Sequence, residues 1–470
     1  MSRSSHFVTD VKSSSLIHSR ENKITETIAA IATPHGVGGI SIVRISGPAA
    51  LSIAGKMTHA HTLNPRKATL KTLYDDNDHP LDEAIVIYFK APFSFTGEDI
   101  VEFQCHGGTI VASMVLERII ELGARLAEPG EFTKRALLNG KMDMTKAEAI
   151  ASLINAKSED AAKLLSRQLK GALHDYVESI RTKLVEILAY IEVTIDYAEE
   201  DLPGDLYEQI TQKLESIKEE LEKTVEASRS REGLIEGFQI AIVGKPNVGK
   251  SSLLNALLHY NRAITSDIAG TTRDTIEESL KIGTHLVRII DTAGIRESGE
   301  TIEKIGIERA IASAESADVV IALFDQSAPI DKDDFRIIDL LQKQKGQKRI
   351  IVLLNKKDLP PKFDLKQLSD FDPIPISVKE DTSVLIEKLR DYLDLQSRSH
   401  DMILINKRQI HQVSKAAEAI SRAQSVLAEG EFELFAYELN DAIEAMAAIT
   451  TPFEREEILD QMFGSFCLGK

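Results

Sequence analysis

The densest chemistry in the 470-residue chain lies in Gly244-Lys-Pro-Asn-Val-Gly-Lys250-Ser251, which follows an apolar run ending at Val243 and precedes the helical Leu253–Leu258. Strand, glycine loop and helix in that order form a phosphate cradle. The loop backbone curls so that successive N–H groups converge on an anion at a helix N-terminus. Lys250 brings a point charge to the β- and γ-phosphates, and the Ser251 hydroxyl suits Mg2+.

About a hundred residues on, Asn355-Lys-Lys-Asp358 closes the apolar run Ile350–Leu354. A carboxylate there accepts two hydrogen bonds from guanine, N1–H and the exocyclic amine. Adenine lacks that donor pair and leaves the acid unpaired, so the expected nucleotide is GTP. Asp291-Thr-Ala-Gly294 ends another strand-like run and suits a magnesium-side carboxylate with a γ-phosphate-sensing glycine. Gly270-Thr-Thr-Arg-Asp274 lies between, where a switch would bring Thr272 to the metal, and Ser377-Val-Lys379 would back the guanine. The expected nucleotide contacts are Asn247, Val248, Gly249, Lys250, Ser251 and Ser252; Ser266, Asp267, Ile268, Ala269, Gly270, Thr271 and Thr272; Asp291, Thr292, Ala293 and Gly294; Asn355, Lys356, Lys357 and Asp358; and Ser377, Val378 and Lys379.

Ile295 stands where many small GTPases carry the glutamine that orients attacking water. An isoleucine cannot do so, which leaves Glu297, Glu300 and Glu303 as nearby candidates that spacing does not separate. Asn247, together with the segment Ser266–Thr271, can hold a monovalent cation beside the phosphates; an ordinary Asx-type turn is the competing reading of Asn247.

The elements that position these residues fall into three textures. From Ile24 to Lys141, strand-like runs such as Gly39–Ile45 and Ala84–Phe89 alternate with Gly/Pro turns, with one helical stretch at Thr109–Leu122. Apolar residues at Leu165, Leu169, Leu173, Tyr176, Ile180, Leu184, Ile187, Ile191 and Ile195 then mark long amphipathic helices. From Phe238 the runs Phe238–Val243, Leu286–Ile290, Val319–Phe324 and Ile350–Leu354 read as a parallel sheet with crossover helices. Helical periodicity returns through Ile410–Leu427 and Phe432–Ile449.

The expected fold is therefore a multidomain α/β protein with a P-loop, Ras-like domain inserted into an all-α domain. Its parts are a tail at 1–22, an α+β domain at 23–141, a first helical part at 142–236, the inserted domain at 237–392 and a second helical part at 393–470.

Composition agrees with a globular chain of that size: 43% hydrophobic and 27% charged residues, with 56 Lys+Arg against 73 Asp+Glu for a formal charge of −17. That balance opposes broad electrostatic nucleic-acid binding but leaves room for a local basic groove. No apolar run approaches the roughly 18 residues of a membrane span. The Ser-rich segment Met1–Asn22 lacks the apolar block of a secretory signal, so a cytoplasmic location is expected. Two cysteines, Cys105 and Cys467, are too few for a disulfide framework.

With these motifs in place, the chain resembles the MnmE/TrmE family of tRNA-modifying GTPases over residues 24–470. The phosphate loop is shared with several ribosome-assembly GTPases. More specific are the terminal Phe466-Cys-Leu-Gly-Lys470, the Gly39–Gly47 segment with Arg44, and Gly130-Glu-Phe-Thr-Lys-Arg-Ala-Leu-Leu-Asn-Gly-Lys141. The resemblance implies a homodimer whose G domains associate on GTP with K+ and Mg2+. It implies N-terminal domains that bind tetrahydrofolate, in a 5-formyl or methylene form, as one-carbon donor. An MnmG/GidA-like FAD protein would be the partner in adding an aminomethyl-type or carboxymethylaminomethyl group at C5 of the wobble uridine of certain tRNAs.

Carried over residue by residue, the resemblance assigns K+ to Asn247, Ser266, Ile268 and Thr271, Mg2+ to Ser251 and Thr272, and water orientation to Glu303. Folate falls to Arg44, Glu102, Lys141 and Lys470. A glutamyl-tailed pterin offers carboxylates to the basic residues and ring N–H donors to Glu102. Cys467 becomes a candidate near the transferred carbon. Cys105 occupies a position where the family usually has glycine, and its added volume is expected to narrow the folate pocket. A ribosome-assembly GTPase acting on rRNA is the alternative, and a folate-dependent transferase with a regulatory G domain is a third reading.

Overall fold

The computed structural model describes residues 26–34, 36–196, 206–260, 278–290, 313–397, 402–451, 456–464, 466 and 469. The chain forms two compact units, one of residues 1–151 with 447–470 and one of residues 152–446.

In the first unit, strands β1 (Ile28–Ile31), β2 (Ile40–Ser46), β3 (Thr69–Tyr74), β4 (Pro80–Phe89), β5 (Ile100–His106) and β6 (Arg125–Leu126) form a sheet of order β3-β4-β5-β2-β1-β6. Pairing is antiparallel except between β1 and β6. Helices α1 (Ala50–Thr58) and α2 (Thr109–Glu121) cover one face, because alternate strand residues such as Val43, Ile45, Val86, Val101 and Phe103 point into a shared core with Met57, Val115 and Ile119.

Among the described residues, the other face is covered in part. Helix α3 (Glu131–Leu138) lays Phe132 against Ile28 and Ala30 of β1, and Arg44 pairs with Ala30 in register. Helix α4 (Met144–Ile154) and the last helix, α14 (Glu456–Phe463), pack Met144 and Ala147 against Leu459 and Phe463.

Cys105 requires a correction. It is buried in the helix-covered core with Phe103 and Val115, whereas Glu102 shares the opposite face with Arg44. The period-two alternation of β5 turns the thiol away from the Arg44–Glu102 pair, so it does not narrow that surface.

The second unit contains the sheet β12-β11-β10-β7-β9-β8, built from β7 (Phe238–Val243), β8 (Glu278–Ile282), β9 (His285–Ile290), β10 (Val319–Asp325), β11 (Arg349–Asn355) and β12 (Ile374–Pro375). All pairings are parallel except the edge hairpin β8–β9, which adds an antiparallel strand to the expected sheet. The near-continuous apolar runs follow from burial on both faces. Ile240, Ile321 and Leu353 pack with α9 (Lys250–Tyr260) and α11 (Ser383–Ser397), while Ala241, Val320 and Val352 pack with α10 (Lys332–Gln344).

Further helices of this unit among the described residues are α5 (Glu159–Leu169), α6 (Ala172–Asp196), α7 (Leu206–Ser230), the short α8 (Glu232–Glu236), α12 (Lys407–Glu429) and α13 (Phe432–Thr450). The periodic run through Leu165 and Leu173 forms two helices, separated at Gly171, whose φ of 98° a helix does not adopt. Among the described residues no helix is long and apolar enough to cross a membrane.

Candidate nucleotide and folate sites

The phosphate loop runs from the C-terminal end of β7 to the first turn of α9, beside β10. It is an anion cradle at the crevice of an open parallel sheet. Gly249 has φ of 108°, and a Cβ there would overlap Asn355 Nδ2, so only glycine fits the curl. Asn247 also takes a left-handed conformation, with φ of 62°. Lys250 Nζ donates to the carbonyls of Gly244 at 2.7 Å and Lys245 at 2.8 Å. Burial pushes its pKa down to about 8, because an ammonium out of water with only neutral acceptors is disfavoured.

The base-side residues converge on the same crevice. Asn355, at the end of β11, donates through Nδ2 to Val248 O at 2.7 Å and accepts from Val378 N–H at 3.1 Å. One buried side chain therefore ties the phosphate loop to both base-side segments. Ser377 Oγ donates to Asp358 Oδ1 at 3.1 Å, holding the carboxylate that would read guanine. Lys357 N–H bonds Ile376 O at 3.0 Å.

Lys356 has φ of 66° and pairs with Asp325 at 2.5 Å. Burial would raise the Asp325 pKa, but Lys356 and the Ser327 hydroxyl and N–H outweigh it and hold the acid below its ordinary value.

Of the expected nucleotide residues, the structure brings together Asn247–Ser252, Asn355–Asp358 and Ser377–Lys379. Ser266–Thr272, Asp291–Gly294, Glu297, Glu300 and Glu303 lie outside the described residues. Within the expected cation sets, Ser251 for Mg2+ and Asn247 for K+ are therefore the described members.

In the first unit, Arg44 Nε and Nη2 lie 2.8 and 2.7 Å from Glu102 Oε1. The guanidinium sits 5.8 Å from the centroid of Phe95 and 5.7 Å from that of Phe132, within cation–π range of both rings. Phe95 belongs to the loop between β4 and β5. Asn139 Nδ2 ties that loop through Thr96 O at 2.7 Å. A Cβ at Gly97 would meet Lys141 Cε at 2.8 Å, so Lys141 lies across the same loop. Gly469 packs against the end of β1, at Ile31 and Ala32, while Cys467 and Lys470 lie outside the described residues.

Beneath the loop is a charged network that sequence reasoning missed. The buried Arg135 bonds Glu131 Oε1 at 2.9 Å and Glu98 Oε1 at 3.0 Å, and Arg125 bonds both Glu131 oxygens. Burial opposes ionisation of Glu131, but Arg125, the Glu128 N–H and Arg135 together hold its pKa below the usual range. Glu98 in turn accepts from Ser46 Oγ at 2.6 Å. The dense Phe93-Ser-Phe-Thr-Gly-Glu-Asp99 turn was the available signal for this loop.

The edge hairpin β8–β9 is anchored in the second unit. Thr284 Oγ1 donates to Asp160 Oδ2 at 2.6 Å, on the first turn of α5. The buried His285 has Nε2 2.9 Å from Asp394 Oδ1 and Nδ1 3.3 Å from Asp160 Oδ2, the latter without hydrogen-bonding alignment.

Two family models match this chain: the MnmE helical domain over residues 144–467 and the GTP-binding protein TrmE N-terminus over residues 27–141. It is similar to the tRNA modification GTPase MnmE of Sulfurimonas denitrificans, 57% identical over 95% of this chain and 99% of that relative. The MnmE of Nitratiruptor sp. is 59% identical over 94% of this chain and 98% of its own. Among solved structures, Era in complex with MgGDPNP and nucleotides 1506–1542 of 16S ribosomal RNA is 28% identical, covering 39% of this chain and 66% of that one at a TM-score of 0.26.

Proposed function

The chain belongs to the MnmE family of tRNA modification GTPases, and from that premise we infer that its GTP hydrolysis serves modification at C5 of the wobble uridine. A tetrahydrofolate, in its 5-formyl or methylene form, supplies the carbon. An MnmG/GidA-like FAD protein is the partner, the chain acts as a homodimer, and the group added is of the aminomethyl or carboxymethylaminomethyl type.

The observation that carries this reading is the pairing, in one chain, of a guanine-nucleotide crevice with the Arg44–Glu102 surface. Glu102 Oε1 takes both Arg44 contacts, and Oε2 has no bond among the described residues. It is an acceptor for the adjacent N–H donors of a pterin ring. Phe95, which is exposed, supplies an apolar face, the buried Phe132 backs the Arg44 guanidinium, and Lys141 supplies charge for a glutamyl carboxylate. Lys470 and Cys467 complete the assignment from the C-terminal pentapeptide, which the position of Gly469 beside β1 supports.

Hydrolysis depends on positioning and charge neutralisation rather than covalent chemistry. Asn355 and Asp358 set the base, the Asn247–Ser252 backbone cradles the phosphates, and Lys250 follows the β/γ oxygens. Ser251 and Thr272 would hold Mg2+, which would neutralise phosphate charge, and Asn247, Ser266, Ile268 and Thr271 would hold K+, which would supply the positive charge that an arginine would otherwise bring. Glu303 orients water in place of the glutamine absent at Ile295. G-domain association on GTP completes the site by population shift.

Nucleoside mass analysis of tRNA from cells lacking the protein tests the reading. Loss of the C5 modification at the wobble uridine is expected, and an intact pattern would overturn it. Replacing K+ by Na+ at constant ionic strength is expected to cut GTP turnover sharply; equal rates would remove the cation from the mechanism.

A further inference from the structure

Two lysines leave the phosphate loop, and nucleotide chemistry accounts for one. Lys250 turns inward to the carbonyls of Gly244 and Lys245. Lys245 turns the other way. Its ammonium lies 2.7 Å from Asp331 Oδ2 and 2.6 Å from Asp334 Oδ2, at the start of α10.

Both acids are already engaged with the backbone there. Asp331 is the N-cap, accepting from the N–H groups of Asp333 and Asp334. The Asp334 side chain closes a capping box by accepting from the Asp331 N–H at 3.1 Å. Asp334 is wholly buried, and its Oδ1 finds no hydrogen-bond partner. A carboxylate in that position is costly unless a cation lies against it. Lys245 is that cation, and it comes from the phosphate loop.

The consequence is geometric. The Lys245 side chain is fixed to α10, while its own carbonyl is one of the two acceptors that hold Lys250. Strands β7 and β10, which feed the loop and α10, are parallel neighbours. The clamp therefore spans the crevice beside the phosphate cradle and holds the first turn of the loop in one curvature.

We propose that Lys245 is a positioning residue for GTP: through Asp331 and Asp334 it preorganises the phosphate loop and the acceptors of Lys250. Preorganisation lowers the ordering cost of binding. GTP and GDP share the α/β-phosphate cradle, so both affinities depend on the clamp. The bond-making step lies at the γ-phosphate, beyond its reach. Loss of the clamp falls on binding, not on turnover of the bound complex.

The test compares Lys245→Met, which keeps the stem and drops the charge, with Lys245→Arg in the full-length protein. GTP turnover, affinity for a fluorescent GDP analogue and thermal stability are read together. Lys245→Met is expected to raise KM for GTP and Kd for GDP about ten-fold with kcat changed less than about two-fold, and Lys245→Arg is expected to restore most of the loss. A folded Lys245→Met protein with unaltered KM and Kd overturns the proposal. So does a fall in kcat and thermal stability together at constant KM, which marks a merely structural tie. If Lys245→Met does not fold, Asp331→Asn decides, because it keeps the capping oxygen and removes one charge. A rise in KM of about three-fold supports the clamp, and an unchanged KM overturns it.

Discussion

The carboxamide of Asn355 donates to the carbonyl oxygen of Val248 at 2.7 Å, joining positions 107 residues apart. The segment proposed to read the base and the loop proposed to hold the phosphates thus share one buried side chain. Its loss leaves the Val248 carbonyl and the Val378 N–H without that partner, at a cost of about 1–3 kcal/mol. Asn355→Ala is expected to weaken GTP and GDP binding roughly ten- to hundred-fold, measured by displacement of a fluorescent GDP analogue. Asn355→Asp is expected to be worse, since it turns an acceptor toward a carbonyl oxygen.

As the proposed phosphate lysine, Lys250 is expected to make nucleotide binding pH-dependent. Its pKa in the free protein is about 8, below the ordinary 10.5, because of burial. Phosphate oxygens favour the charged form and raise it again. Above pH 8 the free protein has lost a proton that the complex retains, so binding takes up a proton and affinity falls as pH rises. Titration calorimetry at pH 8.5 in two buffers of different ionisation heat is expected to show uptake of up to about one proton per nucleotide. Stability of the nucleotide-free protein moves the opposite way. Between about pH 8 and 10.5 the unfolded chain binds the additional proton, so this lysine's contribution to stability rises with pH across that window.

Burial, and secondarily the charge of Asp82, pushes the Cys105 thiol up to about 12. The nucleophile is the thiolate, which is scarce at that pKa and enclosed in the core besides. Alkylation of the native protein at pH 7.5 followed by peptide mass analysis is expected to leave Cys105 unmodified, and unfolding in denaturant is expected to expose it. Rapid native labelling at Cys105 would contradict its place in the helix-covered core.

Asp160 anchors the turn of the β8–β9 hairpin to α5 through Thr284. In the sequence this hairpin follows the segment containing Thr272, and its second strand, β9, leads directly to Asp291. Asp160→Ala is expected to speed amide hydrogen exchange in peptides spanning residues 278–290 by several-fold, with peptides from β10 and β11 unchanged. Equal exchange in the hairpin would show that the Thr284–Asp160 bond does not restrain it.

The amino-acid sequence alone was enough to locate the strand–loop–helix unit around Gly244–Ser251, the tetrapeptide Asn355–Asp358 at the end of its strand and the apolar runs that form the parallel sheet around them. It placed Phe238–Val243 at the bounds found in the structure. These features are contiguous: a cradle of backbone N–H groups is made by neighbouring residues, and buried parallel strands announce themselves as apolar runs. Tertiary structure decided which distant side chains meet. Arg44 reaches Glu102 because β2 and β5 pair in a register that places them opposite each other, and Lys245 reaches Asp334 because β7 and β10 are neighbours. Cys105 faces the helices rather than the Arg44 surface through the same alternation. Strand order and register follow from how the whole sheet buries its faces, a cooperative outcome that no local spacing encodes.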